Sequence, residues 1–511
     1  MKKNSIEKSA LLVLIGSLIA RIASLAKESV FAYMLGTSYI ADAYVVSVSI
    51  SELLIGALLG SLLTAYIPIA CSAKNEGINE INRFSSNIIN ISSIFIMIIS
   101  IVFFIFPKSL IYIFAIGFDE KTINVAVQML RPILLGSSII CFRNTLASYL
   151  QLYDDFFVIN VYNVIASLIL IISYYFFSTQ FSLLGLMYVF SLLIPTLVLY
   201  QRARKFGFSY KYVLEFKSKY VEQAFKLAVP VFIASIATTL NSVIDRTFAS
   251  TLETGVITAM KYATTIVSAS TLLIITPIQS VIFPKMSSLA SEDEGITKVE
   301  DLFVTGTSYI LILSIPFVFG VITLSSEIIM LLFMRGAFTI EGLQITTILL
   351  QVYILTILFE GFSSCTRPFF FTLKDSKTPV KFGVIALIVN ILLNFILIKP
   401  LGFLGLAIAT VISSLINCLL LIIALRIKTG RIKIKYLVIL AIKSFVSSFI
   451  MCILIILIKM CLGNISIIIV LLVSFILGVL TYVLIMFLFN VEEIRKLIGW
   501  LLNKIVGGVN R

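Results

Sequence analysis

The stretch ALLVLIGSLIARIASLAKESVFAYML, residues 10–35, decides the fold of this chain. It is long and apolar enough to cross a bilayer as one α-helix, for which about 20 apolar residues suffice. Yet it carries Arg21, Lys27 and Glu28, and a charge at the bilayer centre costs roughly 2.5–3.5 kcal/mol on an insertion scale. We therefore expect this helix to turn its charged side chains toward protein or a water-filled cavity, away from lipid.

The polar residues of this span share one face of the helix. They follow one another at spacings of four, three and four residues, the period of an α-helix: Ser17, Arg21, Ser24 and Glu28. Two interpretations stay open at this point. Either Arg21 and Glu28, two turns apart, join a structural ion pair, or the stripe belongs to a substrate-facing cationic site.

The composition is that of a polytopic membrane protein. Of the 511 residues, 60% are hydrophobic and 13% are charged, and the mean hydropathy is +1.11, whereas about a quarter of the residues in soluble domains are charged. The formal net charge of +14 does not indicate a nucleic-acid partner, because the basic residues lie in short loops, where they set orientation. The first apolar run has no cleavage pattern, so we expect a retained span rather than a signal peptide.

Catalytic and cofactor signatures are missing from the sequence. It contains no histidine and six scattered cysteines without a CxxC pair, which argues against a transition-metal site or a His-dependent dyad. It has no P-loop, GxSxG, HExxH or dinucleotide fingerprint. We therefore expect a transporter rather than an enzyme, without a cofactor. Its driving force would be a coupling ion of unknown identity, the membrane potential or consumption of the substrate downstream.

Apolar runs of about 20 residues predict an all-α polytopic membrane protein with fourteen transmembrane helices. They lie near residues 10–35, 41–68, 86–106, 123–150, 156–177, 182–201, 225–251, 256–284, 303–324, 344–372, 378–398, 402–426, 434–460 and 466–489. With the N-terminus inside, most Lys and Arg residues fall in cytoplasmic connections. This positive-inside asymmetry predicts that both termini are cytoplasmic.

The chain also contains a weak internal repeat. Four short motifs recur in the same order at a nearly constant offset, which indicates two six-helix bundles of the same orientation, a parallel pseudo-repeat. The pairs are Phe31-Ala32 with Phe248-Ala249, Ile67-Pro68 with Phe283-Pro284, Cys141-Phe142-Arg143 with Cys365-Thr366-Arg367, and Leu184-Gly185-Leu186 with Leu404-Gly405-Leu406. The predicted domains are an N-terminal six-helix bundle (1–201), a cytoplasmic basic linker (202–224), a C-terminal six-helix bundle (225–426), two additional transmembrane helices (427–489) and an amphipathic cytoplasmic tail (490–511).

Charged residues inside the spans are mostly basic. In the repeat the first and seventh spans are equivalent, so we expect Arg21, Lys27 and Arg246 to converge on one central cavity. Excess positive charge suits an anionic substrate, above all a phosphate or pyrophosphate, whose oxygens accept bidentate hydrogen bonds from Arg. The other charged candidates for the cavity are Glu28, Asp42, Glu52, Arg131, Asp245 and Lys261.

Structural roles compete with binding for several of these residues. Asp245 and Arg246 are neighbours at one end of their helix, where they either bind substrate or anchor the helix at the membrane interface. Arg131 precedes Pro132, where it either lines the cavity or satisfies backbone carbonyls freed by a bend.

The acids inside the spans and the bases near the ends of spans also allow interpretations other than substrate binding. Glu28 and Glu52 are either pairing partners or carriers of protons or cations. For the bases near the cytoplasmic ends of their spans we expect snorkelling or anchoring: Arg143, Arg367 and Lys443.

Several motifs resemble those of one transporter family. They are Asp245-Arg246-Thr247-Phe248-Ala249-Ser250, Met260-Lys261-Tyr262-Ala263, Phe283-Pro284-Lys285-Met286-Ser287, Arg335-Gly336-Ala337-Phe338-Thr339 and, above all, Asp375-Ser376-Lys377-Thr378-Pro379-Val380-Lys381. Together with the six plus six plus two arrangement, they resemble the MurJ/MviN family of lipid II flippases, in the multidrug/oligosaccharidyl-lipid/polysaccharide exporter superfamily. The likeness covers about residues 5–490.

This resemblance implies a flippase of the bacterial cytoplasmic membrane. It would move the undecaprenyl-pyrophosphate-linked peptidoglycan precursor from the inner to the outer leaflet by alternating access. By the same likeness, Arg21, Lys27 and Glu28 line a cationic cavity for the pyrophosphate, Asp42 matches the family's loop acid, and the last two helices form a groove for the lipid tail. The implied partners are an anionic lipid-linked saccharide, membrane lipids and cell-wall synthesis proteins.

Two places depart from the family pattern. The second span reads Glu52-Leu53-Leu54-Ile55-Gly56-Ala57-Leu58-Leu59-Gly60, without the family's arginines, and the eighth reads Tyr262-Ala263-Thr264-Thr265, without its usual arginine. Lys261 lies one turn before Thr265 and is a candidate replacement. The departures keep open a flippase for another lipid-linked saccharide, such as a capsule, exopolysaccharide or teichoic-type precursor.

Two further functions stay open at the level of sequence. A drug or cation antiporter of the same superfamily would need a carboxylate-rich, aromatic-lined cavity, which a net cationic set of span residues disfavours. A membrane scaffold that transports nothing would need no charges inside its spans.

Overall fold

The computed structural model describes residues 3–289, 295–373, 375, 377–429, 434–462, 465–496 and 499. Side chains at 3–14, 53–61, 63, 64, 230–239, 287, 295 and 296 lie outside that description. The described residues form α-helices and contain no β-strand, which confirms the predicted all-α fold.

Seventeen helices are present in the described part of the chain. They are α1 (Lys3–Leu35), α2 (Tyr39–Glu76), α3 (Ile78–Ile105), α4 (Pro107–Phe114), α5 (Glu120–Gly136), α6 (Ile139–Gln151), α7 (Phe157–Phe177), α8 (Phe181–Lys205), α9 (Lys219–Ala249), α10 (Val256–Leu289), α11 (Gly295–Phe333), α12 (Ile340–Tyr353), α13 (Thr356–Thr372), α14 (Lys377–Leu401), α15 (Phe403–Thr429), α16 (Ile434–Leu462) and α17 (Ile467–Leu488).

Ten helical segments among the described residues are long and apolar enough to cross a membrane, and α5 with α6 makes an eleventh if that bent pair is one span. These lengths confirm a multi-pass membrane protein, because each exceeds the roughly 20 residues that a bilayer requires. The exact count of fourteen spans stays a prediction.

The predicted fourth span is two helices that bend by 47°. The sequence suggested a bend near Pro132, but α5 continues through that proline to Gly136, and the break falls at Ser137 and Ser138. Ser137 Oγ donates to the Ile133 carbonyl at 3.0 Å, a side-chain bond of the kind that bends helices.

The helices group into two compact units. The first comprises Met1–Ala259 with Leu332–Gly342, and the second comprises Met260–Leu331 with Leu343–Arg511. Helix α9 therefore belongs to the first unit, in which it packs against α2. The predicted domain boundaries, which follow the sequence repeat rather than contacts, stay a prediction.

Aromatic residues of α2 and α3 form much of the core of the first unit. The rings of Tyr66 and Phe84 stack at 5.3 Å. The Tyr66 hydroxyl lies 2.6 Å from Ser85 Oγ, so its polar atom is satisfied inside the core. Tyr149 of α6 and Phe208 of the segment after α8 belong to the same core.

The segment after α8 was predicted as a basic linker, and it is ordered against α3. We call residues 208–217 the strap. It has no helix or strand of its own, and its backbone is held by side chains of α3. Asn87, for example, accepts from the Glu215 N–H at 2.9 Å and donates to the Glu215 carbonyl at 2.8 Å.

In the second unit, α14 packs on α15 and α16 packs on α17. Tyr482 of α17 shows how this packing satisfies polar atoms, because its hydroxyl donates to the Ile312 carbonyl at 2.9 Å and lies 2.8 Å from Ser444 Oγ. Of the predicted amphipathic tail, Glu492–Lys496 are helical, and the residues from 500 onward lie outside the described part of the chain.

The start of α14 carries the most specific of the family-like loops. Asp375 accepts from Thr378 N at 3.0 Å and from Thr378 Oγ1 at 2.6 Å, and it pairs with Lys428 of α15. The ammonium of Lys428 and the Thr378 donors hold the pKa of Asp375 below its usual range. Asp375 thus caps one helix and ties it to the next.

We expect Asp375→Ala to destabilise the protein by about 1 kcal/mol, the usual value of an N-cap. Because its pKa is depressed in the folded state, Asp375 stabilises the fold above its unfolded pKa of about 3.9, and this contribution is lost as the pH falls below that value. Thermal unfolding in detergent at pH 7 and below pH 4 should therefore show a deficit that shrinks in acid.

Asp375→Asn is the matched control, because asparagine keeps the capping oxygen and loses only the exposed ion pair, worth less than about 1 kcal/mol. A deficit for asparagine as large as that for alanine would contradict a capping role.

Candidate functional site

The polar stripe of the first span lies partly against α7. Ser17 Oγ donates to Asn160 of α7 over 3.5 Å. Nearer the other end of the helix, Glu28 is buried, and its Oε1 pairs with Lys27 Nζ at 2.9 Å. The prediction that this stripe faces protein is thus confirmed for Ser17 and Glu28.

Charges from two other helices join this pair. Glu52 of α2 interacts electrostatically with Lys27 and also with Arg246 of α9. Arg246 interacts with its neighbour Asp245, which is buried. We call these five residues, Lys27, Glu28, Glu52, Asp245 and Arg246, the charged cluster, and it lies within the first unit.

Aromatic residues border the charged cluster. The Tyr188 hydroxyl of α8 donates to Glu52 Oε1 over 3.5 Å. Phe31, Tyr44 and Tyr174 form a ring cluster with centroids 5.0 to 5.6 Å apart, and the Tyr174 hydroxyl donates to Tyr44 at 3.2 Å. This packing fixes α1, α2 and α7 beside the charged residues.

Arg21 differs from the other bases of this region. It lies two turns before Glu28 on α1, it is exposed, and within the described chain it makes no ion pair. The interpretation in which Arg21 and Glu28 form a structural pair is therefore not supported, since Glu28 pairs with Lys27. The Arg21 guanidinium is available to a ligand.

The charged cluster is closer to neutral than the sequence suggested. It contains two bases, Lys27 and Arg246, and three acids. Arg21 on the same helix as Lys27 adds a third base to the site. Bases buried without counter-charges would be unstable, so the acids hold them in place. An anionic ligand must therefore compete with carboxylates for Lys27 and Arg246.

Two further candidates are Lys261 and Arg131. Lys261 is partly buried on α10 and belongs to the second unit, so its part in the site stays a prediction. Arg131 is exposed on α5 and contacts the ring of Phe104, 5.7 Å from guanidinium to centroid.

Arg143 and Arg367 have partners that the sequence reasoning did not foresee. Arg143 is partly buried, lies 5.6 Å from the Tyr162 ring and interacts with Tyr188. Arg367 makes a bidentate pair with Glu360, at 2.9 and 3.0 Å. The explanation by snorkelling or anchoring is therefore incomplete for both, because each guanidinium has a partner within the protein.

Asp42 makes a structural contact of its own. It is buried in the first turn of α2 and accepts three hydrogen bonds, from Gly255 N at 2.6 Å, Thr258 N at 2.8 Å and Thr258 Oγ1 at 2.6 Å. The carboxylate thus caps the N-terminus of α10, where a negative charge is favourable. Substrate contact by Asp42 stays a prediction.

The loop between α11 and α12 docks beside Asp42, against the turn between α1 and α2. Ala337 N donates to the Tyr33 carbonyl at 2.8 Å, and Gly336 has a φ of +60°. A Cβ at Gly336 would lie 2.3 Å from the Tyr33 carbonyl oxygen. Glycine is therefore required there both for the left-handed backbone and for the close approach.

An apolar groove of about 820 Å³ lies in the second unit between α11, α16 and α17. Its lining includes Leu313, Phe317, Leu324, Met451, Phe475 and Val479. On the neighbouring faces of α11 and α16, Lys459 Nζ pairs with Glu327 at 2.7 Å and donates to the Thr323 carbonyl at 3.1 Å. The lining has the chemistry of a site for a hydrocarbon chain.

The described part of the chain is helical, with ten or more bilayer-length helices, buried charges and an apolar groove. These are the features of a polytopic membrane transporter. Its fold is that of solved transporters. It resembles the structure titled lipid II flippase MurJ, inward closed conformation, with a TM-score of 0.80 over 96% of this chain and 100% of that chain, at 23% identity. It also resembles an inward-facing multidrug resistance MATE family transporter of the MOP superfamily, with a TM-score of 0.65 over 82% of this chain and 99% of that chain, at 15% identity.

Sequence comparison identifies the family. The family model described as lipid II flippase MurJ matches residues 31–476, so the chain belongs to the MurJ family. Two relatives are both named probable lipid II flippase MurJ. One, from Borreliella burgdorferi, is 26% identical over 425 residues, 83% of each chain. The other, from Buchnera aphidicola subsp. Acyrthosiphon pisum, is 26% identical over 418 residues, 79% of this chain and 81% of the relative.

Three glycines allow the loop docking to be tested in steps. Gly383 has open space around a Cβ and an ordinary φ, Gly402 has open space and a φ of +55°, and Gly336 combines a positive φ with the contact to Tyr33. We expect alanine to be neutral or stabilising at 383 and to cost about 1 kcal/mol at 402 and clearly more at 336. Thermal unfolding of the three variants measures the order, and equal effects at 402 and 336 would contradict the close contact.

Proposed function

We propose that this chain translocates lipid II, the undecaprenyl-pyrophosphate-linked peptidoglycan precursor, between the leaflets of the bacterial cytoplasmic membrane by alternating access. Membership of the MurJ family carries this proposal, because the family model spans most of the chain. The transport serves peptidoglycan synthesis and cell-wall formation, and the chain performs no covalent chemistry.

The charged cluster supplies the chemistry for the pyrophosphate. Arg21 offers an uncommitted guanidinium, and Lys27 and Arg246 offer charge that is neutralised by acids until a ligand arrives. A pyrophosphate accepts several charge-assisted hydrogen bonds at once, so it competes well with single carboxylates. Once the substrate leaves, Glu28 and Glu52 neutralise the bases again, which allows the empty carrier to return.

The groove of the second unit suits the lipid tail. Its walls are apolar over most of their area, so an undecaprenyl chain that moves into the groove from the bilayer exchanges one apolar environment for another. Because the tail itself stays in an apolar environment throughout, the head group sets the barrier to translocation.

The orientation and the driving force follow from charge. The positive-inside asymmetry of the loops supports cytoplasmic termini, so that α1 begins on the cytoplasmic side. A net charge that crosses the membrane potential gains about 2.3 kcal/mol per 100 mV, which makes the potential a candidate driver beside a coupling ion. Cell-wall synthesis enzymes are candidate protein partners.

The charge balance of the site favours one second candidate. Three acids among three bases, and the absence of arginine from Glu52–Gly60 in the sequence, weaken the site for a pyrophosphate with an acidic head group. A flippase for another undecaprenyl-linked saccharide, such as a capsule, exopolysaccharide or teichoic-type precursor, would accept this balance.

The decisive experiment measures lipid II exposed on the outer leaflet of bacteria depleted of their own flippase. We expect this chain to restore the exposed lipid II and Arg21→Ala to reduce it by about tenfold or more, because a charge-assisted hydrogen bond contributes about 1.5–3 kcal/mol. Lys108→Ala, at an exposed surface pair with Glu120, is the control for the loss of a basic residue.

Protein amounts in the membrane are matched by immunoblot. If the unmodified chain reaches the membrane but restores no exposed lipid II, the lipid II proposal fails, and the undecaprenyl-linked polysaccharide precursors become the substrates to test. If Arg21→Ala is as active as Lys108→Ala, Arg21 is not a pyrophosphate ligand.

The groove is tested with Gly320→Leu. Gly320 lines the groove, and the nearest atom to a Cβ there is Met451 Cε at 3.9 Å, so a leucine would project into the groove without a clash. A tail displaced from the groove moves into lipid rather than water, so it loses only van der Waals contacts of about 0.1–0.2 kcal/mol per atom pair, and we expect binding to weaken by about threefold. Gly383→Leu, where a side chain meets open space, is the matched control.

Binding is measured in nanodiscs with lipid II carrying the full tail and with an analogue carrying a short tail. We expect Gly320→Leu to weaken the first and to leave the second unchanged. An equal loss for both analogues would place the tail elsewhere.

A further inference from the structure

The strap, residues 208–217, is fixed to α3 by side chains that act as partners for its backbone. Besides the double contact between Asn87 and Glu215, Asn90 Nδ2 donates to the Val213 carbonyl at 2.8 Å, and Ser86 Oγ accepts from Lys211 N at 3.0 Å. The three inward residues of the strap, 211, 213 and 215, are therefore held much as a strand is held by its neighbour.

This attachment gives the strap two different faces. Lys211, Val213 and Glu215 are half-buried, whereas the residues that alternate with them, Tyr212, Leu214 and Phe216, are exposed. The exposed fractions are 86% for Tyr212, 43% for Leu214 and 63% for Phe216. The alternation is the period of an extended chain, so three large apolar side chains stand together on the outer face.

The position of the strap in the chain sets its depth. It begins three residues after the end of α8, and both α8 and α3 are candidate membrane spans. Asn82 and Asn90, which hold the strap, lie within about 20 Å of the start of α3 at a rise of about 1.5 Å per residue. The strap thus lies at the level where these helices leave the bilayer.

Exposed basic residues flank the strap in the chain: Arg202, Arg204, Lys205, Lys217 and Lys219. Arg202 pairs with Asp155 at 2.5 Å and Lys219 with Glu76 at 3.6 Å, which leaves Arg204, Lys205 and Lys217 without an acidic partner among the described residues. The acid of the strap, Glu215, is paired with Arg83 at 2.5 Å, so it does not offset the positive charge nearby. Tyr and Phe side chains at the head-group level, with Lys and Arg beside them, are the composition that binds an anionic membrane surface.

We propose that the outer face of the strap, formed by Tyr212, Leu214 and Phe216, docks onto the anionic lipid surface of the membrane. The aromatic and leucine side chains insert between head groups, and the flanking bases contact lipid phosphates. Because the α3 side chains already hold the strap backbone, little ordering is needed when it binds lipid. The strap thereby attaches the cytoplasmic end of the first unit to the bilayer, on the orientation proposed above.

A tryptophan reporter tests this docking in the full-length protein. Trp500 is the only tryptophan of the chain, so Trp500→Phe gives a silent background, into which Tyr212→Trp or Phe216→Trp is introduced. Each protein is placed in vesicles of phosphatidylethanolamine and phosphatidylglycerol, with and without brominated acyl chains. Symmetric vesicles make the readout independent of orientation.

The control reporter is Asn75→Trp. Asn75 is exposed near the end of α2, whose 38 residues extend to about 57 Å, far beyond the roughly 30 Å of hydrocarbon. We expect both strap reporters to show blue-shifted emission and at least twofold stronger quenching by bromolipid than the control. The quenching should fall in phosphatidylcholine vesicles and in a Lys205→Gln, Lys217→Gln variant.

Quenching of both strap reporters at the level of the control would overturn the proposal. Blue-shifted emission without bromolipid quenching would also overturn it, because the face would then be covered by protein. Circular dichroism and thermal unfolding establish that each variant folds. The assay contains no substrate, so its outcome is separate from that of the flippase experiment.

Discussion

The cost of placing charge in an apolar medium governs this structure. Charges on its long helices are paired with nearby charges of opposite sign. Examples are Lys27 with Glu28, Arg367 with Glu360 and Lys459 with Glu327. Such pairs add little net stability, because desolvation offsets much of the attraction. What they provide is a fixed position for each charge, because a charge without its partner would be costly to bury.

The same constraint shapes substrate binding. In the empty site Glu52 lies among bases from two helices, and Glu28 neutralises the base next to it. A polyanionic head group that enters would replace these carboxylates as the partner of the bases. The empty site, with three acids and three bases, is close to neutral, and the head group would add negative charge to it. A cavity with the excess positive charge that the sequence suggested would bind an anion tightly but would be costly to empty.

The all-α membrane fold could be predicted from sequence because a run of about 20 apolar residues is a local pattern, and the stripe on α1 was visible because a helix has a fixed period. Partner identity was not visible. Glu28 pairs with its sequence neighbour instead of Arg21, and Arg367 reaches two turns back to Glu360. The strap was also missed, because its order comes from amides on α3, more than 100 residues away in the chain. No local pattern in residues 202–224 encodes those contacts.

The strap and the loop at Gly336 both provide hydrogen-bond partners for backbone that lies outside the helices. Near a membrane every unpaired N–H and C=O is costly. The strap finds its partners in asparagine side chains, whereas Ala337 donates to the Tyr33 carbonyl and needs a glycine beside it to come that close. Both solutions join segments that are far apart in sequence, and both leave the helices themselves intact. Non-helical segments therefore contribute to holding the first unit together.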